Sequence, residues 1–268
     1  LIEPTGEVTV HSTHDHLFGP DYTYVGASFP QASANNKALT SAAVAVGQVC
    51  KEKGMVGYVS VDFVAFRDSS GGERLWAVDL NVGMHDTVVS FHLFRFITGG
   101  NFNPITGTFH AEIEGEEGDG DDSEAASRSG SAVGSTSRGS NKGRREMGWG
   151  GERVYTVCDA VYHPNLASVQ YNVFFNLCRL KGVHFDLQDK VGTAFILVDS
   201  FAGGVIGMLC VGKRHPDAMR MLGESLDFIQ QQLGISRGHS DRYLPQGTFR
   251  SAIKEVKRRI DKAKALEA

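Results

Sequence analysis

From Ala34 to Lys53 apolar positions recur every three and four residues, in an alanine-rich run that Gly54 closes. That spacing predicts a helix with a glycine stop. The period then changes. Met55 to Phe66, rich in Val, Phe and Tyr, predicts a strand; Arg67 to Arg74, with Asp68, Ser69, Ser70, Gly71 and Gly72, reads as a loop; Leu75 to Val82 predicts a second strand. Thr87 to Ile97 predicts a helix stopped at Gly99 and Gly100. Further on come a strand over Arg153 to Cys158, a helix over Leu166 to Leu180, strands over Thr193 to Asp199 and Val205 to Val211, and a helix over Pro216 to Leu233. The order predicts an α+β fold, a largely antiparallel sheet flanked by helices.

Residues 112–150 interrupt this pattern. They are nearly devoid of apolar side chains, acidic from Glu112 to Glu124 and basic from Arg128 to Arg145. Such a stretch cannot offset an ordering entropy of about 1–2 kcal/mol per residue, so it reads as a disordered insertion between the two parts of one domain, 1–111 and 151–235. Residues 236–268 read as a basic tail helix. In it Phe249, Ile253, Val256 and Ile260 recur at helical spacing while Lys254, Lys257, Arg258 and Arg259 cover the other faces. A helix of this kind either packs on its own domain with its lysines in water or docks in a partner's groove, calmodulin's included.

Composition narrows the choice of function. A formal charge of -4 over 268 residues argues against nucleic acid as the main partner. The most apolar stretch, Thr193 to Val211, is broken by Asp199, Ser200 and glycines, which argues against a membrane span. Cys50, Cys158, Cys178 and Cys210 lie far apart with no Cys-x-x-Cys pair, so a disulfide scaffold is not expected. The chain opens at Leu1 with no signal-like segment after it. The expectation is a cytoplasmic protein that continues before Leu1.

The densest chemistry falls on the two central strands. If Phe66 pairs with Leu75 across the loop, Val64 faces Ala77, Asp62 faces Asp79, and Ser60 faces Asn81. Side chains alternate with period two, so Ser60, Asp62, Asp79 and Asn81 emerge on one side, with Val61, Phe63, Val78 and Leu80 on the other, toward the core. Two carboxylates directly opposite each other are destabilising by up to about 1 kcal/mol. A hard cation such as Mg²⁺, completed by phosphate oxygens, would compensate, since two Asp and one Asn form an all-oxygen set. The alternative is two solvated carboxylates on an open face.

Gly54-x-x-Gly57-Tyr58-x-x-Val61-Asp62-Phe63, a hairpin loop, then Trp76-Ala77-Val78-Asp79-Leu80-Asn81 resembles the metal-binding core of ATP-grasp ligases. Residues 1–31 carry Glu3-Pro4-Thr5-Gly6-Glu7, Ser12-Thr13-His14-Asp15-His16, Tyr24-Val25-Gly26 and Phe29-Pro30-Gln31. These, Phe94 to Gly100 and Thr106 to Phe109 are similar to pheganomycin-type peptide ligases, and most nearly to the C-terminal ATP-grasp-like region of the IQ motif-containing protein H family. The likeness runs from Leu1 to Leu233, the insertion excepted. It implies the C-terminal part of an ATP-grasp-like domain in which Asp62, Asp79 and Asn81 hold Mg²⁺ against the phosphates of ATP. The chemistry it implies is carboxylate phosphorylation to an acyl phosphate, followed by amine attack.

The pattern also breaks. Relatives commonly carry Arg two residues after the Asn or two before the strand Asp; here those places are Gly83 and Ser60, which supply no fixed positive charge. Asp79 is one methylene shorter than the usual Glu. The nucleotide-clamping half would lie before Leu1, and no glycine-rich phosphate loop replaces it, since Gly99-Gly100 and Gly203-Gly204 read as turns. This chain alone is therefore expected to bind ATP poorly. Two readings stay open: a non-catalytic or weakly active nucleotide/metal-binding or interaction module, and an active ATP-dependent carboxylate–amine ligase. A calmodulin-binding IQ motif would also lie outside the chain, since Ile229-Gln230 lacks the Arg-Gly that should follow.

Two histidine groups complete the inventory. His14 and His16 would share a strand face, as a zinc pair, as surface histidines, or, with Asp15, as the substrate-side cluster that the resemblance implies. His85 follows the acidic motif and either points at a ligand or merely precedes an Asp86-Thr87 helix cap.

Overall fold

Asn35 starts the first helix: its side chain accepts the Ala38 amide, one of the donors a helix N-terminus leaves unpaired. In the computed structural model, which describes residues 1–19, 22–112, 149–197, 203–233 and 249–267, this helix is α1 (Asn36–Glu52). Ahead of it lie β1 (Asp15–Phe18) and β2 (Tyr24–Phe29). After it come the ribbon of β3 (Val59–Arg67) and β4 (Glu73–Val82), then α2 (Asp86–Thr98). Gly99 ends α2 with φ 72 and returns its amide to the Arg95 carbonyl, the left-handed stop that the sequence predicts.

β5 (Asn101–Asn103), β6 (Thr108–Glu112) and β7 (Trp149–Glu152) form a small antiparallel sheet. β8 (Val154–Tyr162), a 3₁₀ turn (Pro164–Ser168), α3 (Tyr171–Leu180), β9 (Phe185–Asp186), β10 (Val191–Ile196), β11 (Val205–Gly212), α4 (His215–Leu233) and α5 (Phe249–Glu267) follow. The main sheet runs β1-β2-β8-β11-β10-β9, antiparallel throughout, so the parts on either side of residues 112–150 share one sheet. Of the insertion itself, 113–148 lies outside the described residues.

Alternation along β11 divides the interior in two. Ile206, Met208 and Cys210 face Phe174, Leu222, Leu226 and Ile229 from α3 and α4. Leu209 and Val211 face the other way, with Phe29 and Tyr155, toward Phe91 and Phe94 of α2 and Phe109 of β6. The α+β, largely antiparallel architecture is the expected one.

Several boundaries differ from expectation. The helix predicted over Leu166 to Leu180 is split, because Val169 turns extended (ψ 130) and lays its side chain on the core. The strand predicted to end at Cys158 runs to Tyr162, paired with β11 up to Val205. Asp199, the expected end of another strand, lies outside the described residues. The tail helix packs on its own domain: Ala252 and Val256 are buried, with Ile253 and Ile260 against the same core. Its apolar face is thus already covered, and a partner's groove cannot take it as it stands; the Phe249 side chain and residues 236–248 lie outside the described residues. All four cysteines are free and buried, and burial pushes the Cys178 thiol up to about 11 and Cys210 to about 12.

At Gly26 the backbone of β2 lies so close to β8 that a Cβ would overlap the Val157 carbonyl oxygen. Gly26→Ala is expected to cost about 1–3 kcal/mol. Thermal denaturation followed by circular dichroism should show the melting temperature lowered by roughly 2–10 °C.

Candidate functional site

Among the described residues the ribbon pairs only with itself. Its inner half has the predicted register, with Ser60 opposite Asn81 and Asp62 opposite Asp79. Its outer half does not. A bulge after Asp62 leaves Val78 unpaired, so Phe63 faces Ala77, Val64 faces Trp76 and Phe66 faces Arg74. The predicted Val64–Ala77 and Phe66–Leu75 pairs are therefore each displaced by one residue. The outer register is held by the Phe66–Trp76 ring contact, with centroids 4.5 Å apart, and by Asp68. The Asp68 carboxylate accepts the Ser70 hydroxyl, the Arg74 guanidinium and the Gly72 and Ser70 amides, which hold it at about 2.

Within the inner half, Asp79 accepts the Leu80 amide and the Asn81 side-chain amide, each at 2.9 Å. Neither Asp62 nor Asp79 has a basic partner among the described residues. Asn81 donates with its nitrogen and keeps its carbonyl oxygen free of that bond. Two unneutralised carboxylates and an amide oxygen on one ladder face suit Mg²⁺ in donor chemistry. Among the described residues no group of three or more His, Cys, Asp and Glu is placed to hold a metal, so a cation here would need Asn81 and ligand oxygens as well.

The opposite face of the ribbon corrects the sequence expectation. Val61 and Phe63 line an open cleft, while Val78 and Leu80 are 57% and 43% exposed. They were expected to turn toward the core, but among the described residues no third strand covers the ribbon, and α1 meets it through the Asn35 amide, which donates to Glu73.

That cleft, about 490 Å³, lies between residues 8–16, α1 and β3. His14, Asp15 and Asp62 line it; Asp79, Asn81 and His85 do not. The His14 Nε2 shares a 2.6 Å hydrogen bond with the Tyr155 hydroxyl. Although His14 keeps some exposure to the cleft, burial, helped by the charge of His16, pushes it down to about 3, so it is neutral at physiological pH. Asp15 accepts the Ala32 amide and its charge acts on His215. His85 is itself the N-cap of α2, makes no side-chain cap bond and keeps its Nε2 buried without a partner, while Asp86 occupies the first turn. Its ring thus stands apart from the cleft.

Sequence reasoning missed Tyr155, Tyr58, which bonds His92 at 2.8 Å, and the Tyr24–Asp159 pair, in which burial and the nearby Asp86 raise the Asp159 carboxyl. These contacts join residues far apart in sequence, and no local spacing announces them.

Residues 1–104 match the family model described as IQCH-like, ATP-grasp. The chain as a whole is similar to IQ motif-containing protein H of Danio rerio, 28% identical over 258 residues that cover 96% of this chain and 21% of that protein. The resemblance read from the motifs is therefore shown, and the chain spans about a fifth of the relative's length. No solved structure matches. No helix among the described residues is long and apolar enough to cross a membrane.

The state of His14 sets a pH dependence. Its folded value lies below its unfolded one, so the unfolded chain binds the proton first, and stability is lost as pH falls from about 6.5 toward about 3. The slope for one proton is at most about 1.4 kcal/mol per pH unit. Burial also lowers His11, His163 and His215, so the measurement is a difference. Urea unfolding at pH 7 and pH 5 should show a smaller loss for His14→Gln than for wild type.

Proposed function

We propose that this chain is a nucleotide- and metal-binding module of a longer protein, built on the ATP-grasp plan and weakly active or inactive in ligation. The observation that carries the reading is the Asp62–Asp79 pairing with Asn81 beside it, a face whose repulsion nothing described neutralises. Asp62, Asp79 and the Asn81 carbonyl would hold Mg²⁺, which would neutralise phosphate charge when ATP is bound. Exposed apolar residues on the ribbon, Trp76, Val78, Leu80 and Val82, support a further segment of the longer protein lying against it and supplying the nucleotide clamp. Ser60 and Gly83, at the two places where relatives carry Arg, favour the non-catalytic reading over the ligase. A calmodulin-type partner would have to bind outside the apolar face of α5, which is covered.

Calorimetry on the full-length protein tests this. ATP is expected to bind only with Mg²⁺ present, and Asp79→Ala is expected to weaken binding at least tenfold. Absence of Mg²⁺-dependent binding in the wild type would overturn the reading. Phosphate release that depends on an added carboxylate and amine would replace it with the ligase.

A further inference from the structure

Helix α5 is seated on the first core by a small set of contacts. Ala252 and Val256 are fully covered, and Ile253 and Ile260 lie against the same core. Where α5 meets α4, Gly223 lets it come close: a Cβ there would stand 3.2 Å from a Val256 methyl and 3.3 Å from an Ile260 methyl. The polar side of the contact is thin. Among the described residues, one ion pair joins α5 to another element, Lys257 to Asp227 at 2.9 Å, and both side chains are partly open to water. A pair so exposed adds little.

Glu255 works against docking. It is 1% exposed, and its carboxylate accepts three bonds of 2.7 Å, two from Arg258 and one from Arg259. Both arginines belong to α5 itself, three and four positions on, so the pairing is complete within the helix. Docking adds no partner to the carboxylate and takes its water away. Burial works to raise the Glu255 carboxyl, but the two guanidiniums outweigh it, so the group lies below the ordinary glutamate value and stays charged. Arg258 and Arg259 keep contact with water, 57% and 33% exposed, so the dehydration falls on Glu255. An ion buried without a new partner costs free energy in the docked state. The sheet facing the helices is incompletely paired as well. On the Cys158 side of β8 the Thr156 hydroxyl is buried with no hydrogen-bond partner among the described residues.

We propose that α5 is a detachable strap. Docked, it closes the helical side of the first core and sets Arg259 in the wall of the cleft between residues 8–16, α1 and β3. Released, it leaves as an intact helix, carrying its Glu255–Arg258–Arg259 group with it, and withdraws Arg259 from that wall. Glu255 sets the balance by weakening the docked state without weakening the helix. The remaining core does not follow, because α3 and α4 keep Phe174, Leu222, Leu226 and Ile229 against β11. The strap is independent of the proposed metal face and needs neither Mg²⁺ nor ATP.

The test is hydrogen–deuterium exchange of the full-length protein, in chelator and without nucleotide, read by mass spectrometry of its peptides. Amides over 252–262 are expected to exchange about tenfold faster than those over 218–229 of α4, through an opening of their own. Glu255→Met, close in length and uncharged, should slow α5 by about tenfold and leave α4 and β11 as they were. Glu255→Gln, which keeps the shape and removes the charge, should shift α5 in the same direction. An ion pair that held the helix down would give the reverse, faster exchange in both variants. Val256→Ala, which removes seated methyl groups and keeps the charge, should speed α5 by about tenfold, showing that the opening is undocking. Exchange of α5 only in one step with α4 and β11, or exchange unchanged or faster once the charge is gone, would overturn the strap. Since no metal or nucleotide is present, such a failure would leave the metal-face reading standing.

Discussion

Strand β11 is buried along seven of its eight residues, so it must be apolar on both faces, and the rest of the molecule is arranged around that demand. A strand covered on two sides needs an apolar layer packed on each. α3, α4 and α5 supply one; α2 and the small sheet supply the other. This explains why the chain's last helix ends up beside its first strands. α5 is drawn in by the core that β11 creates, and in seating Ala252 and Val256 it brings Arg259 to the cleft at β1.

The β3–β4 ribbon stands outside this arrangement. It joins neither sheet, buries little, and carries two carboxylates face to face, three properties that would make an isolated hairpin marginal. What holds it is mostly local: an aspartate-bound loop at the tip, a ring pair beside it, and a short hydrogen-bonded series of Asp79, Leu80 and Asn81 at the base, with one bond outward from the Asn35 amide to Glu73. Local bonding of that sort fixes direction without fixing an environment. The acidic face is therefore shaped in advance but unshielded, an arrangement suited to receiving a charged group and screening it only when something closes over.

How much of this was legible before the structure depended on the range of the interaction. α1 and α2 were, because apolar spacing, Asn35 and Gly99 are local signals. The Asp62–Asp79 pair was expected too, though from a Phe66–Leu75 loop register that is displaced by one; the bulge at Val78 restores the pairing. The bulge at Val78 was not, since its cause is the fit of Phe66 to Trp76 and of Asp68 to Arg74, outside any period-two count. β2 escaped notice, and β1 was anticipated only as a His14–His16 strand face, because histidines, glycine and serine dilute their apolar pattern; they are strands because β8 pairs with β2 and β2 with β1. The cleft was legible only in part. His14, Asp15 and Asp62 were singled out by type, whereas Arg259 belongs to it through a packing contact spanning nearly the whole chain.

The extra residue at Val78 gives the ribbon two phases. Below it the acids point to one side; above it the count restarts, and Trp76 lies on the same side as Asp79 although three positions, not two or four, separate them. The two halves can therefore change independently. A substitution or length change at the tip re-sorts the residues around Trp76 while the acids keep their bearing, and a change at the base leaves the tip's stacking intact. The bulge works as a joint between two registers, which lets one short hairpin carry its acidic face on one phase and its aromatic tip on another.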